Sequence, residues 1–161
     1  MRAASGRPPY PHVHQINVSD GGVPKMPILE ARITDAGVEG DRQRNRAVHG
    51  GRDRAVCLYS LEVIERLQDE GHSIRPGSAG ENLTLAGVEW EKVAPGSRIQ
   101  IGPSVQLEIK SYTAPCDLNA PWFRNGEFKR ISQKKHPGWS RLYARVLQGG
   151  IVRPGDEVVV K

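Results

Sequence analysis

"VAPGSRIQIGPSVQLEIKSY", residues 93–112, indicates how this chain folds. Hydrophobic and polar side chains alternate over residues 105–109, which is the pattern of a β-strand with one buried face. Upstream of this strand, Pro95 and Gly96 occupy the two central positions of a predicted type II turn. A similar Pro-Gly turn, again followed by hydrophobic residues, occurs within residues 152–161. The stretch therefore predicts short strands that are joined by tight turns.

The same reasoning extends to the rest of the chain. The stretch at residues 60–71 predicts an α-helix, because hydrophobic residues recur in it at helical spacing. Ser60 is a suitable N-cap for this helix, and Gly71 is a suitable residue to end it. A further short helix is expected around residues 119–123. Other short hydrophobic stretches predict strands, at residues 12–19, 28–34, 55–59, 83–85 and 142–150. We predict a mainly β fold, a closed barrel with one main helix and a few short helices.

Composition limits the class of protein. The chain has 161 residues, a length typical of one domain, which we place at residues 13–161. Residues 1–12 are predicted to form a flexible leader. No hydrophobic stretch reaches the roughly 18 residues that a membrane helix needs, and no secretory signal is expected, so we predict a cytoplasmic protein. The net charge of +5 suggests an anionic partner.

The two cysteines, Cys57 and Cys116, have different surroundings. Cys57 lies within the hydrophobic run "AVCLY", which predicts a buried packing residue. Cys116 lies at a predicted bend in "YTAPCDLNAPW", after Pro115, where a side chain is more accessible. The residues alone leave Cys116 as an ordinary turn thiol, a disulfide partner or a reactive thiolate, although a reducing cytosol disfavours the disulfide.

Six blocks, in one order, resemble the MOSC domain family, which is named after the C-terminal part of molybdenum cofactor sulfurases. They are "GVEGDRQ" (37–43), "HGGRDRAVCLYS" (49–60), "GENLTLAGV" (80–88), "GSRIQIG" (96–102), "APCDL" (114–118) and "YARVLQGGIVRPGDEV" (143–158). The resemblance extends from about Ile16 to Lys161. It implies a barrel-like β fold.

The resemblance also implies a function for Cys116, which matches the characteristic cysteine of the family. In relatives this cysteine is regarded either as the thiolate ligand of molybdenum or as a sulfur carrier. Relatives that bind a molybdopterin-type molybdenum cofactor reduce N-hydroxylated small molecules with electrons from partner proteins. The implied partners are therefore a small-molecule substrate and, in trans, either an electron donor or a cysteine desulfurase.

A basic loop supplies candidate cofactor-binding residues. Arginine binds phosphate through two parallel hydrogen bonds, and glycine lets backbone N–H groups approach an anion. The alternative for this loop is a solvated turn before a strand. Together with the motif "HGG", this chemistry suggests that a molybdopterin phosphate is bound by Arg42, His49, Gly50, Gly51, Arg52 and Arg54.

Four more positions join the predicted site. Glu81 and Asn82 could hydrogen-bond pterin nitrogens, or could hold a tight turn instead. Thr113 could orient Cys116 or contact the cofactor, or could be an ordinary hydroxyl at a strand end. Arg145 matches a family position and could reach the pocket, or could form a weak surface ion pair.

Three function classes follow. The first is a molybdenum-dependent oxidoreductase with Cys116 on the metal, and the second is a sulfur carrier with a persulfide on Cys116. The third is a binding module for anionic ligands, although a basic stretch at residues 128–139 is the only further support for it and no nucleic-acid motif is present. The histidine spacing does not predict zinc, and no lysine context predicts a pyridoxal phosphate site.

Overall fold

The computed structural model describes residues 7–42 and 51–161, and strands predominate in both ranges. The strands are β1 (His12–Val18), β2 (Met26–Ile28), β3 (Ala31–Thr34), β4 (Gly37–Val38), β5 (Val56–Ser60), β6 (Leu83–Ala86), β7 (Arg98–Ile101), β8 (Val105–Tyr112), β9 (Leu142–Gln148), β10 (Gly150–Val152) and β11 (Val158–Val160). The α-helix is α1 (Leu61–Asp69), and short 3-10 helices span Arg52–Arg54, Trp90–Lys92, Asp117–Trp122, Arg124–Gly126 and Phe128–Ile131. The prediction of a mainly β fold with one main helix is confirmed.

The Pro-Gly turns form as predicted. The backbone N–H of Ser97 donates to the carbonyl of Ala94 over 2.9 Å, and Gly96 between them has φ +97°. This positive φ is the conformation that a type II turn requires at its third residue, and it is open to glycine without steric cost. After the turn, the inward side chains of β8 are fully buried, so the alternation in the sequence does mark one buried face.

Eight strands form the main sheet in the order β11-β7-β8-β9-β5-β6-β1-β2, and β10, β3 and β4 form a second sheet. Neighbouring strands are antiparallel except β5 and β6, which run parallel and are joined through α1. The predicted closed barrel is not confirmed, because the two edge strands of the main sheet, β11 and β2, do not pair within the described residues. An isolated bridge between His12 and Glu157 links β1 to the segment before β11.

The helix begins and ends where its capping residues predict. The Ser60 side chain accepts a hydrogen bond from the backbone N–H of Val63, and Gly71 follows the helix with φ +97°. The buried face includes Leu61, Ile64 and Leu67, the predicted stripe. In the described ranges, no helix is both long and apolar enough to span a bilayer.

Three short strands, β2, β4 and β10, were not predicted. The glycines and prolines of "DGGVPKMP" (20–27) predict only a turn, but Met26–Ile28 pairs with β1 as β2, and β3 begins only at Ala31. Pro27 is tolerated in β2 because this strand lies at the edge of the sheet, where a missing N–H costs no ladder hydrogen bond. The boundary between a leader and a domain stays a prediction, and β1 begins at His12.

Candidate functional site

A cleft of about 520 Å³ opens where the loop after β1, the segment before β6 and the loop after β8 meet the start of β9. Of the predicted site residues that the structure describes, three line it, namely Arg42, Asn82 and Cys116. The other lining residues are Gly22, Val23, Lys25, Cys57, Ala79, Gly80, Leu118, Asn119, Arg141 and Tyr143. The cleft therefore brings both cysteines and several cationic side chains together.

Cys116 lies at the mouth of this cleft as a partly exposed, free thiol. The backbone is extended at this residue, and its carbonyl accepts the N–H of Asn119 over 2.9 Å at the start of the following 3-10 helix. The Sγ atom lies 3.8 Å from Oδ1 of Asp117. The bend predicted at Pro115 thus leaves the thiol accessible.

Cys57 is the opposite case, because it is buried in the middle of the main sheet. It pairs with Tyr143 across β5 and β9, and its Sγ lies 3.8 Å from Oγ1 of Thr113. Burial raises the pKa of the Cys57 thiol. Thr113 is itself buried and contacts this cysteine, whereas its predicted role in orienting Cys116 or contacting the cofactor stays a prediction.

Asn82 belongs to a buried hydrogen-bond network. Its Nδ2 donates to Oδ2 of Asp41 over 2.8 Å, and its Oδ1 accepts the backbone N–H of Cys57 over 2.9 Å. Asp41 also accepts from the backbone N–H of Ser19 over 2.9 Å and forms a salt bridge of 2.5 Å with Nζ of Lys25. The Lys25 and Asp41 side chains are 8% and 6% exposed. This network fixes Lys25 and Asn82 on the cleft wall.

Glu81 is fully buried and does not line the cleft. Its Oε2 accepts the backbone N–H of Gly77 over 2.9 Å and the hydroxyl of Thr84 over 2.8 Å. Burial raises the pKa of the Glu81 carboxyl. These contacts fit the turn-holding alternative for Glu81.

Arg141 was not predicted, although it is the most unusual charge in the cleft. Its side chain is buried, and its Nη1 and Nη2 donate to the carbonyls of Ala79 and Ala114 over 2.6 and 3.0 Å. Its Nε has no partner, and within the described part of the chain it forms no salt bridge. A buried cation bound only to neutral carbonyls favours an anion nearby.

Strand alternation could have identified this arginine and its neighbour. Residues 141, 143 and 145 point to one side of β9 and its start, so the predicted Arg145 shares a face with Tyr143 and Arg141. Tyr143 lines the cleft, and burial raises its pKa to about 12, so the phenol stays a hydrogen-bond donor well above physiological pH. No local sequence pattern could have placed Lys25 in the cleft, because its position depends on a contact with Asp41.

The described positions at the C-terminal end of the basic loop, residues 51–54, contribute less to the cleft than predicted. Arg52 forms an exposed ion pair with Asp35 over 3.1 Å, and Arg145 forms one with Asp53 over 3.7 Å. Neither arginine lines the cleft. For Arg145 this fits the alternative of a weak surface ion pair.

The remaining loop positions differ in what the structure describes. The Arg54 guanidinium lies 5.6 Å from the ring centre of Tyr143, and therefore beside the cleft. Gly51 has φ +94°, whereas His49 and Gly50 lie outside the described residues. Among described side chains, no group of three or more His, Cys, Asp or Glu residues is placed to bind a metal ion.

Comparison with known proteins identifies related chains. The family model of the MOSC domain matches residues 45–159. Uncharacterized protein YflK of Bacillus subtilis is 31% identical over 136 residues, which cover 83% of this chain and 60% of YflK. Protein YiiM of Escherichia coli is 30% identical over 127 residues, which cover 76% of this chain and 55% of YiiM. The chain thus spans less than two thirds of either relative.

Solved structures show the same fold. The crystal structure of YiiM from Geobacillus stearothermophilus is 25% identical, has a TM-score of 0.73, and is matched over 94% of this chain and 75% of its own. The YuaD protein from Bacillus subtilis is 18% identical with a TM-score of 0.69, and the match covers 93% of this chain and 94% of YuaD. At this identity, the second match supports the fold alone.

Proposed function

Since this chain belongs to the MOSC domain family, we propose that its cleft binds a molybdopterin-type molybdenum cofactor with Cys116 as a ligand of the metal. One observation carries the proposal, which is that a partly exposed thiol and a buried, unpaired guanidinium line the same cleft. A thiolate is a soft ligand for a molybdenum centre, and the guanidinium suits the phosphate of the cofactor.

The donor set of the cleft fits such a group. Arg141 offers a charge without a carboxylate partner, and Arg42 is tied to Asp20 only by an exposed pair of 3.4 Å, which is weak. Lys25 contributes less net charge because Asp41 neutralises it. Asn119, buried beside them, has an Oδ1 atom without a partner, and polar atoms of this kind suit the pterin.

We assign the reduction of N-hydroxylated small molecules to this site. The N–O bond of the substrate breaks with the uptake of two electrons and two protons, and the products are an amine and water. The bound cofactor would supply the electron transfer, and an external donor would restore the electrons. Tyr143, a neutral phenol at the cleft, is suited to donate a hydrogen bond to the departing oxygen.

Metal content tests the proposal directly. The chain and two variants, Cys116→Ser and Cys57→Ser, would be produced in a host that makes molybdopterin, and molybdenum per chain would be measured by mass spectrometry. We expect metal in the parent and in Cys57→Ser, and a loss of most of it in Cys116→Ser. Absence of metal from the parent, or equal metal in all three, contradicts the proposal.

A second candidate function uses the same thiol. Cys116 is exposed enough to react, so it could receive sulfur as a persulfide from a cysteine desulfurase in trans. Incubation with a desulfurase and cysteine, followed by intact-mass analysis, would then add the mass of one sulfur atom to the parent and to Cys57→Ser, but not to Cys116→Ser. A parent chain that gains no sulfur rules out this candidate.

A further inference from the structure

A strongly basic segment, residues 124–135, follows the turn that begins at Cys116. It presents four exposed cations and one acid, Glu127. Within the described residues, none of these cations forms a salt bridge, whereas the fifth cation of the segment, Arg130, is paired with Glu70. The exposed cations are Arg124, Lys129, Lys134 and Lys135.

The basic segment is held firmly against α1. Arg130 donates to both carboxylate oxygens of Glu70, over 2.8 and 2.7 Å. Two guanidinium groups lie over the Trp139 ring, Arg130 at 3.9 Å and Arg66 at 5.0 Å from its centre. The Tyr59 hydroxyl donates to the Trp139 carbonyl over 2.6 Å. The charges are therefore presented from a fixed backbone, which lowers the entropy cost of binding.

The basic segment adjoins the cleft. The 3-10 helix Asp117–Trp122 packs against the two 3-10 helices of the segment, Arg124–Gly126 and Phe128–Ile131. On that first helix, Leu118 lines the cleft and is 45% exposed. An exposed apolar residue on a helix that packs against a segment of unpaired cations is typical of a small, transient protein interface.

The aromatic side chains here point away from nucleic acid as the partner. Trp122, Phe128 and Trp139 pack against the hydrophobic core, so their faces are not presented as a stacking platform for bases. Charge complementarity then favours a partner with an acidic protein surface, since opposite charges accelerate encounter and orient it.

We propose that the basic segment and Leu118 form the docking surface for an acidic electron-carrier protein, which delivers electrons at the mouth of the cleft. The identification of the partner as an electron carrier rests on the proposed function. It adds where that partner binds and which surface chemistry it has.

The binding experiment uses the full chain without cofactor and an acidic flavodoxin as the probe. The variant Lys129→Gln/Lys134→Gln/Lys135→Gln removes three charges from the surface, and Lys92→Gln/Lys110→Gln/Lys161→Gln removes three elsewhere as a matched control. We expect the first variant to weaken flavodoxin binding about tenfold and the control to retain parental affinity at the same salt concentration.

Equal affinity of the two triple variants would overturn the proposal. So would binding of a DNA duplex in preference to flavodoxin, because that result assigns the surface to nucleic acid.

A second measurement separates this proposal from the proposed function. Cofactor-loaded parent and variants would reduce an N-hydroxylated purine with either reduced methyl viologen or reduced flavodoxin. We expect the basic-segment variant to lose about tenfold in rate at low flavodoxin and nothing with viologen. Inactivity of the parent with viologen refutes the proposed function, whereas equal rates of both triple variants with flavodoxin refute the docking surface.

Discussion

Replacing Lys25 with methionine should destabilise the fold strongly, because it leaves the Asp41 carboxylate buried without its cation. Asp41 is 6% exposed, and after Lys25→Met it would retain two neutral hydrogen-bond donors, the N–H of Ser19 and the amide of Asn82. Removing one partner of a buried ion pair costs about 3–5 kcal/mol. Against a total stability of about 5–15 kcal/mol for a domain, this is a large loss. Methionine keeps most of the aliphatic volume, so the change reports on charge rather than on a cavity.

A second substitution, Asp41→Asn, removes the unpaired buried charge and completes a double-mutant cycle with Lys25→Met. In Lys25→Met/Asp41→Asn, the neutral amide still accepts one hydrogen bond, and we expect recovery of at least about 2 kcal/mol relative to Lys25→Met alone. Urea denaturation followed by tryptophan fluorescence gives each free energy of unfolding. Lys92→Met is the control, because the pair of Lys92 with Glu89 is exposed, and its midpoint should not change.

Two results would refute this reasoning. A loss of less than about 1 kcal/mol in Lys25→Met would mean that the carboxylate is solvated or protonated without penalty. Additive losses in the double variant would mean that the two side chains do not interact energetically.

Three other predictions test the thiols, one turn and the helix cap. In the native chain iodoacetamide should label Cys116 and spare Cys57, and equal labelling of both thiols by mass spectrometry contradicts this difference in accessibility. Raising the pH above about 9 should destabilise the fold, because the pKa of the buried Cys57 thiol is raised and the unfolded chain therefore loses this proton first. Gly77→Ala should cost at least about 2 kcal/mol in urea denaturation, because φ is +87° and the new Cβ would collide with a backbone carbonyl oxygen; an unchanged midpoint contradicts it. Ser60→Ala should lower stability by about 1 kcal/mol, because the cap hydrogen bond to the N–H of Val63 is lost; an unchanged midpoint in urea denaturation contradicts the capping role.

Local patterns could predict most of the elements, because they depend on contacts between near neighbours in the chain. Alternation identified β8, Pro-Gly identified its turns, and the cap and stop residues identified α1. The same local information separated a cysteine inside a hydrophobic strand from one at a bend. It did not reveal β2, because most of that short strand is exposed and has no hydrophobic alternation.

The sequence by itself thus determined the β class, the helix and the contrast between Cys57 and Cys116, for which neighbouring residues are sufficient. Only the tertiary structure decided the composition of the cleft. Arg141 donates to Ala79, 62 residues earlier, and Lys25 reaches Asp41 only after the chain has passed through β2, β3 and β4. Such contacts depend on strand order, in which β9 lies beside β5 and β5 beside β6, and no spacing of residues along the chain encodes that order.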